Sequence, residues 1–325
     1  MKRLLFLVCL TLGSLLISLT SFKPSTTEQL TIPVSKDQQT LHEKIKDYAE
    51  THNEQPIDAV IDRVWKAIPG YNGLFIDVDQ SFKQMASANQ FDKELLIYKE
   101  ERPAVTLADL PPSPIFKGNP EKTMVAFLIN VAWGNEFIPP ILKALETHDV
   151  KATFFLDGSW TKNNPEMATM IFAQGHEIGN HAFTHPDLAQ TTLAKTKEEL
   201  HKTNEVIQET IGVKPKWFGP PSGSFNQQTV DVARQLDMYT VLWTIDTVDW
   251  KQPETAPMVN KIVNGVENGS MVLMHPTKPT AEGMDDMIRR IKEKGLSIGT
   301  VSNLLSEQRM ETPESANDFI PLEYR

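Results

Sequence analysis

Cysteine is almost absent. The 325-residue chain has one, Cys9, and it lies in the first apolar stretch. No intrachain disulfide can form, and no cysteine-based metal site or thiol nucleophile is available to the folded part. Disulfides therefore give no reading of the compartment. Positive charge is also in short supply: 32 Lys and Arg stand against 42 Asp and Glu, a net charge of −10. Nucleic-acid binding needs clustered cations on phosphate, so nucleic acid is excluded as a partner. The same sign disfavours docking on anionic membranes or anionic wall polymers, while it keeps the chain soluble. Internal repeats and low-complexity tracts are missing too.

What is present begins at the N-terminus. Lys2 and Arg3 precede an uncharged apolar run that reaches Phe22. That is the layout of an export signal, and the run approaches the ~20 residues of a membrane span. Ser18-Leu19-Thr20 is a poor cleavage site. An uncleaved single-pass anchor with Lys2 and Arg3 inside is favoured over a cleaved signal peptide. The expected location is the cell envelope, secreted or anchored by segment 1–22, with the membrane a partner only through that segment.

Residues 23–40 are polar and read as a linker. Residues 41–102 read as a small α/β module. Within it 41–48 and 57–68 have helical spacing, the second with Ile57, Val60, Ile61, Val64 and Trp65 on one face. A turn cluster follows at Pro69-Gly70-Tyr71-Asn72-Gly73, then a strand at 74–78, a helix at 79–88 and a strand at 94–98. Nothing in the module looks catalytic. Residues 103–122 are a proline-rich connector, 123–305 the main domain, and 306–325 a polar, peripheral tail.

From Thr123 strand-like and helix-like runs alternate. Strands are expected at 124–131, 151–156, 177–179, 216–218, 239–245, 271–274 and 296–301. Helices are expected at 138–148, 165–173, 193–210, 227–236, 258–266 and 285–294. Crossover helices imply a parallel sheet. This periodicity fits an open doubly wound sheet as well as a barrel.

The chemistry-bearing segments fall at the expected strand ends, where parallel barrels keep their working residues. Gly175-His176-Glu177-Ile178-Gly179-Asn180-His181-Ala182-Phe183-Thr184-His185-Pro186 sets His181 and His185 four residues apart. Neutral imidazole is a common metal ligand, though an isolated pair at this spacing reads equally as surface or capping histidines. Asn130 and Val131 end the first strand, and Asp157 follows the second. Segment 220–223 follows the fourth, Asp246 and Asp249 the fifth, and His275 the sixth.

With Ala152-Thr153-Phe154-Phe155, Phe218-Gly219-Pro220-Pro221-Ser222-Gly223, Trp243-Thr244-Ile245-Asp246-Thr247-Val248-Asp249-Trp250 and Leu273-Met274-His275, these segments resemble the polysaccharide deacetylases of the NodB-homology family, carbohydrate esterase family 4. The resemblance covers about 123–305. It implies a distorted (β/α)7 barrel and metal-dependent hydrolysis of N-acetyl groups on N-acetylglucosamine-type polymers, with cell-envelope polysaccharide or peptidoglycan as partner. It also implies a divalent metal, Zn if one is bound, held by an Asp and two His, with a second Asp as base and a distal His as acid. Carried onto this chain, the metal histidines are His181 and His185, the acid is His275, and Asp249 beside Trp250 is the carboxylate that orients it. Ser222 offers a backbone N–H to an oxyanion, and Ser222 and Trp250 stand at the substrate positions.

The chain departs from the family at the paired acids. That segment falls on Leu128-Ile129-Asn130-Val131-Ala132, so the base position is Asn130 and the metal-carboxylate position is Val131. The family's Arg and Tyr on the fourth strand fall on Gly219 and Ser222, and the residue after the first metal His is Ala182. An amide is no base near neutral pH and valine binds no cation. Asp157 or Glu136 could supply a replacement carboxylate; equally, Asp157 could cap the turn at Gly158. Three readings stand at this point: an altered N-deacetylase with a rebuilt metal site, an inactive relative that binds glycan or metal, and another role on the same barrel.

Overall fold

The computed structural model describes residues 36–309. The expected anchor or signal at 1–22 lies outside the described residues, as do most of the expected linker at 23–40 and most of the tail at 306–325. Among the described residues no helix is long and apolar enough to cross a membrane.

The N-terminal unit opens with α1 (Lys36–His52), so residues 36–40 are helix and not linker. β1 (Val60–Asp62) and β2 (Lys66–Ile68) then form an antiparallel hairpin. The helix expected over 57–68 does not form. Asp62 Oδ1 accepts the N–H groups of Val64 and Trp65, each at 2.7 Å, and Lys66 takes φ 61, a left-handed value that ends any helix. Val60, Ile61 and Val64 are exposed as a result. β3 (Gly73–Ile76) pairs antiparallel with β4 (Tyr98–Glu101), and α2 (Val78–Met85) lies between them in sequence. The strand expected at 94–98 is displaced to β4 because Asp92 caps a 3-10 turn at Lys93–Leu95. Leu41, Ile45, Ala49, Ile76, Met85 and Leu96 form this unit's own core.

The connector is built into the main sheet. Ile115 is fully buried and bridges Lys66 of β2 on one side and Val241 on the other. Its N–H donates to Thr240 O at 2.9 Å, and Leu242 N–H donates to Ile115 O at 2.8 Å.

The main domain runs β5 (Met124–Val131), α3 (Ile138–Thr147), β6 (Thr153–Leu156), α4 (Gly158–Asn163), α5 (Pro165–Ala173), β7 (Glu177–Asn180), α6 (Leu193–Ile211), β8 (Trp217–Phe218), α7 (Gln227–Gln235), β9 (Tyr239–Thr240), β10 (Ile245–Asp246), α8 (Thr255–Gly265), β11 (Met271–Met274), α9 (Lys278–Glu293), β12 (Ser297–Gly299) and α10 (Val301–Leu305). The strand order is β10-β11-β5-β6-β7-β8-β9, with β12 against the start of β5. All of these pairings are parallel, giving an α/β fold on a curled half-barrel sheet. The strand expected at 239–245 is broken in two. β9 pairs with β8, β10 pairs with β11, and the residues between them turn to Ile115 of the connector. One short stretch of chain therefore carries both ends of the sheet, which forces the curl.

Strand periodicity sorts the core. Val125, Phe127, Ile129 and Val131 of β5 pack with the apolar faces of α3 and α9, including Ile141, Leu145, Met284 and Ile288. Ala126 and Leu128 face the other way, into a cluster with Phe155, Trp217, Val241 and Met271.

The floor of the sheet, at the strands' N-terminal ends, contains a buried carboxylate. Glu177 opens β7, and its Oε2 accepts the Thr153 hydroxyl at 2.5 Å and Ser302 N–H at 3.2 Å. Its Oε1 accepts Trp217 Nε1–H at 2.9 Å and the Ser302 hydroxyl. Burial pushes this carboxyl up, and the four donors oppose that shift. The start of the tail packs here as well and is not peripheral. Glu307 Oε1 accepts the N–H groups of Gly70 and Leu107, each at 2.8 Å. The Arg309 guanidinium pairs with Glu54 and lies 3.9 Å over the Tyr71 ring.

Glu177→Gln turns an amide NH2 toward groups that donate, leaving buried donors without acceptors. Urea denaturation at pH 7 is expected to show a loss of about 1–3 kcal/mol; an unchanged midpoint would show that the floor does not rely on this group.

Candidate functional site

At the opposite end of the strands the loops converge on a mouth. The loop after β7 is short and conformationally demanding: Ala182 has φ 60 and His185 has φ 55. Non-glycine residues hold such values only when their surroundings fix them. Asn180 Oδ1 accepts Ala182 N–H at 2.8 Å, while its Nδ2 donates to Leu200 O and to Asn204 Oδ1, both at 2.8 Å. Glu199 of α6 lies beneath. Its Oε2 accepts Phe183 N–H at 2.9 Å and Thr184 N–H at 2.7 Å, and its Oε1 takes the Thr184 hydroxyl at 2.9 Å. Burial works to raise the Glu199 carboxyl, but the bonds from Lys195, Thr184 and Phe183 outweigh it and hold the group below its usual range.

This loop presents His181 and His185 with ring centroids 5.1 Å apart. His181 Nδ1 lies 2.7 Å from Gly219 O. A carbonyl only accepts, so the proton sits on Nδ1 and the Nε2 lone pair is left free, the tautomer of a metal-ligating imidazole. Burial pushes His181 down to about 3, helped by the nearness of His185 and opposed by the Gly219 carbonyl. The ring is neutral at ordinary pH.

The carboxylate candidates are arranged differently. Asp157 N-caps α4: its Oδ1 accepts Trp160 N–H at 2.8 Å and the Ser159 hydroxyl at 2.7 Å. Burial raises its carboxyl, while these bonds and the charge of His185 pull the other way. Glu136 is exposed in the 3-10 turn Asn135–Phe137 and makes no hydrogen bond to either histidine among the described residues. Asn130 and Val131 are both buried at the end of β5, and Val131 belongs to the apolar layer beneath the helices. Among the described residues no group of three His, Cys, Asp or Glu side chains could hold a metal ion. The donors do not fit the expected ion: two imidazoles are an incomplete shell, and Asp157, whose Oδ1 caps α4, does not complete it among the described residues.

The His275 end of the mouth is hydrogen-bonded. His275 Nδ1 is 2.8 Å from Asp249 Oδ1, and His275 N–H donates to Asp249 Oδ2 at 2.7 Å. Thr280 of α9 adds its hydroxyl to the same Oδ2 at 2.5 Å. Asp249 is fully buried. Its desolvation is outweighed by the His275 and Thr280 bonds, which hold the carboxyl below its usual range. With Nδ1–H directed at a carboxylate, His275 keeps Nε2 for proton exchange. Trp133 lies parallel to the His275 ring, with centroids 6.0 Å apart and planes at 6°. Gly134 makes this approach possible: it has φ +84, and a Cβ there would meet Pro276 O at 2.0 Å. Ser222 sits in the 3-10 turn Pro221–Gly223 with φ 54. Trp250 is 52% exposed, with Lys251 Nζ over its ring at 4.8 Å.

The geometry thus unites His181 with His185, and His275 with Asp249, and gives Asp157 a capping role. Glu199, Asn180, Thr280 and Trp133 were not foreseen. Asn180 lies inside the histidine motif and its Asx bond to Ala182 is a local signal, whereas Glu199 and Thr280 reach the site from distant helices and leave no trace in sequence spacing.

The polysaccharide deacetylase family profile matches residues 117–241. YlxY of Bacillus subtilis is 48% identical over 87% of this chain and 88% of its own. The crystal structure of a carbohydrate esterase family 4 pseudoenzyme from Bacillus anthracis superimposes with TM-score 0.78 at 44% identity, over 83% of this chain and 96% of that one. A mutant of that pseudoenzyme is described as having restored enzymatic activity; it matches with TM-score 0.78 at 43% identity, over 83% of this chain and 99% of that one. A peptidoglycan-N-acetylglucosamine deacetylase of Bacillus cereus is 31% identical over 60% of this chain and 72% of its own. The chain belongs to the polysaccharide deacetylase family, carbohydrate esterase family 4, with peptidoglycan deacetylases and a pseudoenzyme among its relatives.

Asp249→Asn removes the charge that three donors face, and a loss of about 1–3 kcal/mol is expected at pH 7. A depressed carboxylate contributes stability above its unfolded pKa and loses it as pH falls through the folded one. Urea curves of variant and wild type should therefore draw together as pH falls below the usual carboxylate range; a constant gap at every pH would count against an ionised Asp249.

Proposed function

We propose that this protein is a cell-envelope member of the deacetylase family that keeps a peptidoglycan-type glycan mouth and hydrolyses N-acetyl groups little or not at all. Asn130 and Val131 carry this reading, because they stand where the mechanism needs a base and a metal carboxylate. The absence of a third ligand beside His181 and His185 among the described residues supports it, since Asp157 instead caps α4 through Oδ1. The intact His275–Asp249 pair does not restore turnover, as an acid without an activated water has nothing to complete. What remains can bind. The aromatic faces of Trp133 and Trp250 suit the apolar face of a sugar ring, and the Ser222 N–H suits a carbonyl oxygen. The distorted (β/α)7 barrel of the family is the reading of the curled half-barrel sheet, with 41–102 as a separate module and 103–122 as its connector. Any divalent ion, Zn included, would rest on His181 and His185 alone and be held weakly; no step of the reading passes through it.

Wild-type protein incubated with N-acetylglucosamine oligomers is expected to release no amine above background. Asn130→Asp with Val131→Asp should raise release at least about 10²-fold, the scale of general-base catalysis. The restored activity reported for a mutant of the related pseudoenzyme supports this expectation. Val131→Asp alone should improve Zn retention more than turnover. Robust wild-type turnover unaffected by Asp157→Ala and Glu136→Ala would overturn the reading.

The location rests on Lys2, Arg3 and the apolar run to Phe22. Fractionation of tagged full-length protein should place it outside the cytoplasmic membrane, open to external protease; cytosolic, protease-protected protein would contradict this.

A further inference from the structure

The floor of the sheet, at the end opposite the mouth, holds a second cavity, of about 510 Å³. It lies between the N-terminal unit, the strand starts at Met124, Trp217 and Tyr239, and the segment 302–309. Its charge runs against the rest of the molecule. Arg102, Lys122, Lys216 and Arg309 line it, and Glu307 is the one acidic side chain on its wall among the described residues. In a chain of net charge −10 this is a local reversal. A concave wall of one sign focuses its field on the space it encloses.

The cations fall into two groups. Lys122 Nζ donates to the carbonyl oxygens of Asn303 at 2.5 Å and Ser306 at 2.7 Å, and Arg309 is held by Glu54 and Tyr71. These two are fixed parts of the wall. Arg102 and Lys216 are exposed, and neither has a carboxylate partner among the described residues; Lys216 Nζ stands 5.0 Å over the Trp217 ring. The wall behind them is rigid, because Trp217 Nε1 is bonded to Glu177 and to Ser302 Oγ at 2.7 Å. The Glu307 carboxylate is turned to the Gly70 and Leu107 N–H groups, which blunts its repulsion of an anion. Asn72, Thr106, Asn303 and Gln308 add neutral hydrogen-bonding side chains.

We infer that this cavity is a binding site for a small phosphate-bearing molecule. Arg102 and Lys216, without carboxylate partners among the described residues, match the two charges of a phosphoryl dianion better than the one charge of a carboxylate, and Arg and Lys together suit phosphate oxygens. The volume admits a small organic phosphate. The site is independent of the Asn130–His275 mouth and of any activity there.

Isothermal titration of the full-length protein with inorganic phosphate, and with glycerol phosphate as an ester, tests this at matched ionic strength against acetate. One saturable site is expected, weakening as salt rises. Arg102→Ala with Lys216→Ala should weaken binding at least tenfold, while Lys216→Arg keeps it. Both residues are exposed, so thermal melting without phosphate should not change. Absence of saturable phosphate binding, or binding indifferent to the double substitution, would overturn the inference. So would phosphate binding that appears only after Glu311→Gln, Glu314→Gln, Asp318→Asn and Glu323→Gln together, which would assign the cavity to the chain's own acidic end.

Discussion

Glu177 takes a carboxylate into the floor of the sheet and divides its accepting capacity among β6, β8 and α10. Such a group is costly to bury unless each lone pair is used, and here both oxygens are. Thr153 relays the arrangement: its hydroxyl donates to Glu177 and accepts Val301 N–H at 2.8 Å, so the start of α10 is located by the same carboxylate. Parallel strands offer no hairpins to fix their relative heights. A polar hub shared by neighbouring strand starts sets that height directly, and the mouth at the other end inherits it.

The mouth shows which parts of a catalytic constellation are held by the fold and which are interchangeable. The two-histidine loop runs through left-handed backbone at Ala182 and His185 and is braced by Glu199 and Asn180. The acid pair is braced by Thr280. Glu199 and Thr280 reach in from helices that also pack the core, and Asn180 ends β7, so none of these supports comes from β5. Asn130 and Val131 brace neither histidine: Val131 packs in the core, and both pair through the backbone with Phe155 and Leu156. Fold and reaction separate at those two side chains.

Much of this was legible in the residues. α3, α5 and α7 fall where apolar spacing places them, and the working residues all sit at strand ends, because burial on one face and crossover geometry leave direct marks in sequence. The failures came where a short-range polar bond overruled periodicity. Asp62 turned an apparently amphipathic stretch into a hairpin, and Asp92 moved a strand along the chain. The broken strand at 239–245 was illegible for another reason. Its interruption is caused by Ile115, a residue more than a hundred positions away, and no local pattern reports a partner at that separation. The same holds for Glu199 and Thr280 in the site, and for the clasp that Arg309 makes on Glu54 and Tyr71.

Val131 is fully buried against the helix layer, in the cluster that contains Ile129 and Ile138. An acid in its place would have to be desolvated without a counter-ion, whereas an isopropyl group gains about 1.5–3 kcal/mol from leaving water. Valine at this position therefore favours the fold. Active sites are places where proteins tolerate instability for the sake of chemistry. The braces of the two-histidine loop and of the acid pair answer to the core as well as to the mouth, since Glu199 and Thr280 are buried on helices that pack the sheet.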